Sequence, residues 1–130
     1  MELHYSDTTG EAMLRGTRDE LVAVAEVIRS GAGSVRLDPV PDAAPYDRGL
    51  AILEVATVPE AQVTLFVTGA EDRYRITGEP RLLEVLASSI EEYGLEADPA
   101  DTLDHLHVDY FPGHYYLSER SESMVVCAVS

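Results

Sequence analysis

The sequence predicts an α+β domain, on three observations. Two segments show the apolar spacing of amphipathic helices. Short segments of strand composition stand in pairs before and after each of them. The two groups also align on each other at a constant offset of 62 residues. The predicted unit is therefore strand–strand–helix–strand–strand, present twice, in pseudo-repeat halves at about residues 1–60 and 61–130 of a single domain. An antiparallel or mixed sheet with the two helices packed on one face is the expected architecture. The length, 130 residues, suits one domain, which at that size buries roughly two-thirds of its unfolded surface without needing a disulfide or a metal.

The elements follow in chain order. Residues 3–5 and 11–15 flank Asp7-Thr8-Thr9-Gly10, a turn composition that predicts a hairpin. A helix over 18–30 is capped by Thr17, with Glu20 three residues on to reach back. Leu21, Val24, Ala25 and Ile28 form its buried stripe, and Gly31 supplies a left-handed stop. Strands are expected at 34–38 and 50–58. Between them, the proline-rich segment Pro39–Arg48 reads as a surface excursion, expected to be mobile.

The second half repeats the order. Residues 62–68 and 73–77 flank Gly69-Ala70-Glu71-Asp72, again a hairpin. A helix begins at Pro80, where a proline's missing N–H is not needed, and is expected to end at Gly94. Its stripe is Leu83, Leu86, Ala87 and Ile90. Strands are expected at 105–111 and 124–129. Aligning Gly16 with Gly78 places Leu21 on Leu83, Val24 on Leu86, Ala25 on Ala87 and Ile28 on Ile90.

Charge narrows the function. With 24 acidic and 9 basic residues the net charge is −15, which argues against binding nucleic acid or an anionic membrane surface. Every basic residue is arginine, and lysine, asparagine and tryptophan are absent, a bias expected of GC-rich coding. The single cysteine, Cys127, lies in an apolar run and is expected to be a reduced, buried thiol. No basic and apolar leader opens the sequence and no apolar run approaches membrane length, so a cytoplasmic protein is expected.

Three histidines fall within ten residues, in H-L-H-V-D-Y-F-P-G-H. On a strand, His105, His107 and Asp109 would share one face, and His114 can return as a fourth ligand of a divalent metal. A metal-binding protein or metal-dependent enzyme built on these four residues is the alternative reading. The same residues also suit the solvated side of a half-buried strand. Neither a nucleophile elbow nor a phosphate loop accompanies them, so no catalytic residue and no cofactor is assigned.

Tyr110, Phe111, Tyr115 and Tyr116 crowd around Pro112-Gly113-His114. Tyrosine favours interfaces because it offers a large contact area with few rotors and a polar tip. Between Arg81 and Arg120 stand nine acidic residues, Glu91, Glu92 and Asp98 among them, and no base. Acidic residues beside aromatics suit the steering and anchoring of a basic protein partner, a class that includes nucleases.

These motifs carry a resemblance. G-T-R-D-E-L at the first helix, and above all H-L-H-V-D-Y-F-P-G-H-Y-Y-L-S-x-x-S-E-S-M-V-V near the C-terminus, resemble bacterial polymorphic-toxin immunity proteins of immunity protein family 32. The specific part rests on His105, His107, Asp109, Tyr110, Phe111, Pro112, Gly113, His114, Tyr116, Leu117 and Ser121. Asp109 stands where the motif is associated with Glu, and keeps the charge. The resemblance implies a small α+β protein that binds and neutralises a cognate protein toxin. The expected contact residues are His105, His107, Asp109, His114, Tyr115 and Tyr116, with Glu91, Glu92 and Asp98 as the acidic contribution.

Overall fold

A computed structural model describes residues 1–68 and 72–130. The predicted turn residues Gly69, Ala70 and Glu71 lie outside the described residues. The elements are β1 (Glu2–Tyr5), β2 (Ala12–Gly16), α1 (Arg18–Ser30), β3 (Ala32–Arg36), β4 (Arg48–Gly49) and β5 (Ile52–Thr57), then β6 (Thr64–Val67), β7 (Arg73–Gly78), α2 (Pro80–Glu96), β8 (Leu106–Val108) and β9 (Met124–Ala128). The fold is α+β, with two mixed sheets instead of one.

The sheets exchange strands between the two halves of the chain. One runs β4-β1-β2-β9-β8, the other β3-β5-β7-β6. In one the β1–β2 hairpin lies beside β9 and β8 of the other half, and in the other the β6–β7 hairpin lies beside β5 and β3, each joined by a central parallel pair, β2 with β9 and β5 with β7. Each helix carries the chain across from one sheet to the other. The two hairpins have matching registers: Glu2 pairs with Arg15 and Leu3 with Leu14, as Thr64 does with Thr77 and Leu65 with Ile76.

Burial alternates along the central strands, so each sheet has one covered face and one open face. Ala12, Leu14, Met124 and Val126 of the five-stranded sheet share one core with Leu53, Val55, Tyr74 and Ile76 of the other. The stripes of both helices, Leu21, Val24, Ala25 and Ile28 with Leu83, Leu86, Ala87 and Ile90, complete that core. Capping at α1 takes the expected form. Thr17 Oγ1 accepts the Glu20 N–H at 3.2 Å, and Glu20 Oε1 accepts the Thr17 N–H at 2.9 Å. Gly31 closes the helix at φ 75°, a left-handed conformation that favours glycine.

Gly94 corrects an expectation. It does not end α2, which runs on to Glu96. It lies tight against α1: a Cβ placed there would be 3.0 Å from Leu21 Cβ. Arg29 ties the same helix pair together, its Nε donating to Glu84 Oε2 at 2.7 Å, with Glu91 at 3.4 Å and Glu26 also in contact. Gly94→Val is expected to lower stability by about 2 kcal/mol through overpacking. Gly94→Ala sets a helix-propensity gain of ~1 kcal/mol against a smaller clash. Urea midpoints measure both, and a Val midpoint equal to wild type would mean the helices do not meet there.

The two long loops close sheet edges. The 39–48 excursion, expected to be mobile, is docked: Ala43 is buried, Tyr46 donates its hydroxyl to Glu11 at 3.0 Å, and the Asp47 N–H reaches Tyr5 O at 3.0 Å. It leads into β4, which pairs with β1 and was too short to show as a strand in the sequence. The 109–123 loop runs along the free edge of β6. There the Val63 N–H donates to Tyr116 O at 2.9 Å, the Ser118 N–H to Val63 O at 2.8 Å, and the Glu122 N–H to Leu65 O at 2.8 Å. Edge strands left open invite foreign pairing, and both loops remove that exposure. Cys127 is a free thiol, half-buried on the open face of β9 and not sealed in the core as expected.

Candidate functional site

The segment from the end of α2 to the middle of the last long loop differs from the rest of the surface. Among the described residues six large hydrophobic side chains are exposed, and five of them, Leu95, Leu103, Tyr110, Phe111 and Tyr115, lie here. Burying apolar area is the main favourable contribution to folding, so side chains of this size left outside are available to a partner.

His114 holds the aromatic part together. Its backbone N–H donates to Phe111 O at 2.9 Å, closing the Pro112-Gly113 turn, and its Nδ1 accepts the backbone N–H groups of Tyr116 and Leu117, at 3.2 and 3.0 Å, closing the turn that follows. Phe111 and Tyr116 lie against its ring at centroid distances of 4.7 Å, and Tyr110 stacks on it at 6.5 Å. The turn sends neighbouring rings in opposite directions. Tyr115 is 70 % exposed, whereas Tyr116 packs on the core and burial raises its phenol pKa.

His105 and His107 adjoin each other, their rings edge to face at 6.2 Å, with His107 exposed on the open face of β8. The strand stops at Val108, earlier than the expected 111, so Asp109 leaves the sheet as an exposed loop residue. The proposed ligand set therefore does not assemble. Among the described residues no group of three or more His, Cys, Asp or Glu is gathered as a metal requires, and His114 spends its Nδ1 on the backbone. The alternative built on His105, His107, Asp109 and His114 loses its geometric basis.

The acidic residues divide by role. Glu91 is engaged by Arg29 between the helices. Asp98, Asp101 and Asp104 fold the 97–105 loop: Asp98 Oδ1 accepts the Ala100 N–H at 2.9 Å, Asp101 Oδ1 the Leu103 N–H at 2.9 Å, and Asp104 Oδ2 the Asp98 N–H at 3.3 Å. The first two are Asx turns, in which a short carboxylate satisfies a backbone donor two residues on, and the third closes the loop from its far end. Tyr93 pins the loop by donating to Asp104 O and accepting from the Ala128 N–H, both at 2.9 Å. Glu92 and Asp109 are exposed and make no such contact among the described residues, so their charge faces solvent.

Sequence reasoning missed Glu122. Its Oε2 accepts the Tyr5 hydroxyl at 2.6 Å and its Oε1 accepts the Val67 N–H at 3.0 Å, so one carboxylate bridges the two sheets. Ser121 works beside it, taking the Leu65 N–H at 3.2 Å and donating to Val63 O at 3.1 Å. Burial, and then the hydrogen bond to Glu122, raise the Tyr5 phenol pKa. The hydroxyl of fully buried Tyr74 has no hydrogen-bond partner among the described residues, and burial, then the nearby Glu122 and Tyr5, push its pKa well up. The one signal in the sequence was an acid between two serines ahead of the last strand.

One comparison with known proteins bears on these residues. Residues 75–129 match the family model Immunity protein 32. The chain thus resembles an immunity protein family over β7, α2, β8, β9 and the loops between them. No curated protein and no solved structure matches the chain. Within the Immunity protein 32 match, His114, Tyr116, Leu117 and Ser121 are occupied in building the loop. His107, Asp109, Tyr110 and Phe111 point away from the fold. Among the described residues no helix is long and apolar enough to cross a membrane.

Proposed function

We propose that this protein is an immunity protein that binds a cognate protein toxin in the cytoplasm and neutralises it by occlusion, without a cofactor or catalytic step. The concentration of exposed large hydrophobics between Leu95 and Tyr115 carries this reading, inside the region that resembles Immunity protein 32. Tyr110, Phe111 and Tyr115 are the anchors, with His105 and His107 beside them. Glu92 and Asp109, with the outward edges of Asp98 and Glu91, attract a basic toxin surface. We infer as well that the two halves are copies of one unit, a reading supported by their matching hairpin registers and helix stripes.

Expression of the toxin alone should arrest growth and co-expression with this chain should restore it. With purified partners, the double variant Glu92→Lys/Asp109→Lys is expected to slow association about tenfold at low salt and to flatten its salt dependence, since both charges act before contact. Association unchanged at every salt concentration would remove the steering role.

A further inference from the structure

The open face of the four-stranded sheet has the opposite character to the rest of the molecule. Leu53, Val55, Tyr74, Ile76 and Leu65 point into the core, so their strand neighbours point out. Register then places Arg36 beside Ile52 and Arg73 in one row, and Ser34 beside Glu54, Arg75 and Phe66 in the next. Arg120, from the loop along β6, reaches the same face, where it lines a groove of about 400 Å³ with Phe66, Thr64, Thr77 and Val58. Four of the nine arginines thus lie on one face, with Glu54 the one acid that strand register places among them in the described residues, in a chain of net charge −15.

Glu54 leaves Arg36 and Arg120 unpaired among the described residues. Its carboxylate lies between two guanidiniums, with Arg73 Nη1 at 2.7 Å and Arg75 Nε at 2.9 Å. Arg75 is also held over the Phe66 ring at 5.9 Å, which fixes a cation beside an apolar surface. The side chains of Arg36 and Arg120 are exposed and make no ion pair among the described residues. The nearby Asp72 is turned to Arg48. Among the described residues no element covers this face. On the other sheet, the corresponding open face carries Met13, Arg15, Val125 and Cys127, with one arginine among them.

We propose that this face binds an acidic polypeptide segment of a partner protein, its carboxylates on Arg36, Arg75 and Arg120 and an apolar side chain in the groove beside Phe66. Arginine suits that role because its planar fork pairs with carboxylates in two-point fashion and stays charged at all physiological pH. The groove favours a peptide over a simple anion, because an anion alone has no use for Val58 and Phe66. This surface shares no residue with the toxin surface proposed above, and its test needs no toxin.

The probe is a fluorescein-labelled peptide with a Leu-Phe pair flanked by glutamates, titrated by anisotropy into the whole protein. Controls are the same peptide with lysines for glutamates, and a single-stranded oligothymidylate of equal charge. Saturable binding of the acidic peptide is expected, weakening at least about tenfold between about 50 and about 300 mM salt. Arg36→Ser/Arg120→Ser, two exposed and unpaired positions, should weaken it about tenfold with an unchanged melting temperature. Val58→Asp, at the groove, should do the same without removing a cation. The idea is overturned by no binding of the acidic peptide, by affinity unaltered in both variants, or by preferential binding of the oligothymidylate. Self-association of the protein that competes with the peptide would replace the proposed partner with a second copy of this chain.

Discussion

Glu122→Ala is expected to destabilise the fold by about 3 kcal/mol, with a fall in melting temperature on the order of 10 °C. The loss comes from two donors left without acceptors, the Tyr5 hydroxyl on one sheet and the Val67 N–H on the other. An unsatisfied buried donor costs about 1–3 kcal/mol, more than the net gain of making the bond, which is why a single carboxylate matters this much. Glu122→Gln keeps one acceptor oxygen and should lose less than half as much. The effect also depends on pH. Tyr5 has a raised pKa in the folded protein, so its contribution is complete below the unfolded value of about 10 and is lost as pH rises through the folded value. Removing Glu122 takes away the hydrogen bond and the nearby negative charge. The stabilities of wild type and Glu122→Ala should therefore converge above pH ~10. A gap that is small at neutral pH, or constant into alkali, would mean the carboxylate does not join the sheets.

Replacing Tyr110, Phe111 and Tyr115 together by alanine should weaken toxin binding at least about a hundredfold while leaving the melting temperature within about 2 °C of wild type. The three rings are 36, 59 and 70 % exposed, so the fold gives up little with them, whereas a bound partner would bury them. Most of the change should be in the dissociation rate, since close contacts form after encounter. Tyr116→Ala is the informative contrast. Its ring packs on the core and against His114, so the expected loss is stability, with affinity restored under conditions that keep the variant folded. His114→Ala should behave like Tyr116→Ala, because the Nδ1 acceptor closes the turn that presents Tyr115 and the ring supports Phe111. If the triple alanine variant protects cells as well as wild type, the toxin docks elsewhere.

Several parts of this site could be read without a structure. The aromatic cluster and the base-free acidic run are composition, and composition does not depend on contacts. The division of labour within them does. Tyr115 and Tyr116 are adjacent and chemically identical, and only the turn that His114 Nδ1 closes over them decides which one faces out. Glu91 and Glu92 look alike in the sequence, yet only Glu91 falls within reach of Arg29 on the neighbouring helix. The His-x-His pair suggested a metal because strand periodicity aligned it with Asp109, and the strand ended one residue too soon.

By itself the sequence determined the local structure: the capping box at Thr17, the left-handed glycine at 31, both helix stripes, and most of the strands. Those features depend on neighbours within a few residues, where spacing states which side of an element will be buried. The tertiary structure decided what buries it. Exchange of strands into two sheets, the close helix approach at Gly94, the docking of the proline-rich loop and the bridge from Glu122 to Tyr5 all join residues far apart in the chain. Periodicity has no access to such partners, because a half-buried strand carries the same alternation whichever strand lies beside it. The basic face of the smaller sheet belongs with these. Arg36, Arg73, Arg75 and Arg120 are scattered in a strongly acidic sequence, and strand register together with the loop along β6 brings them to one face.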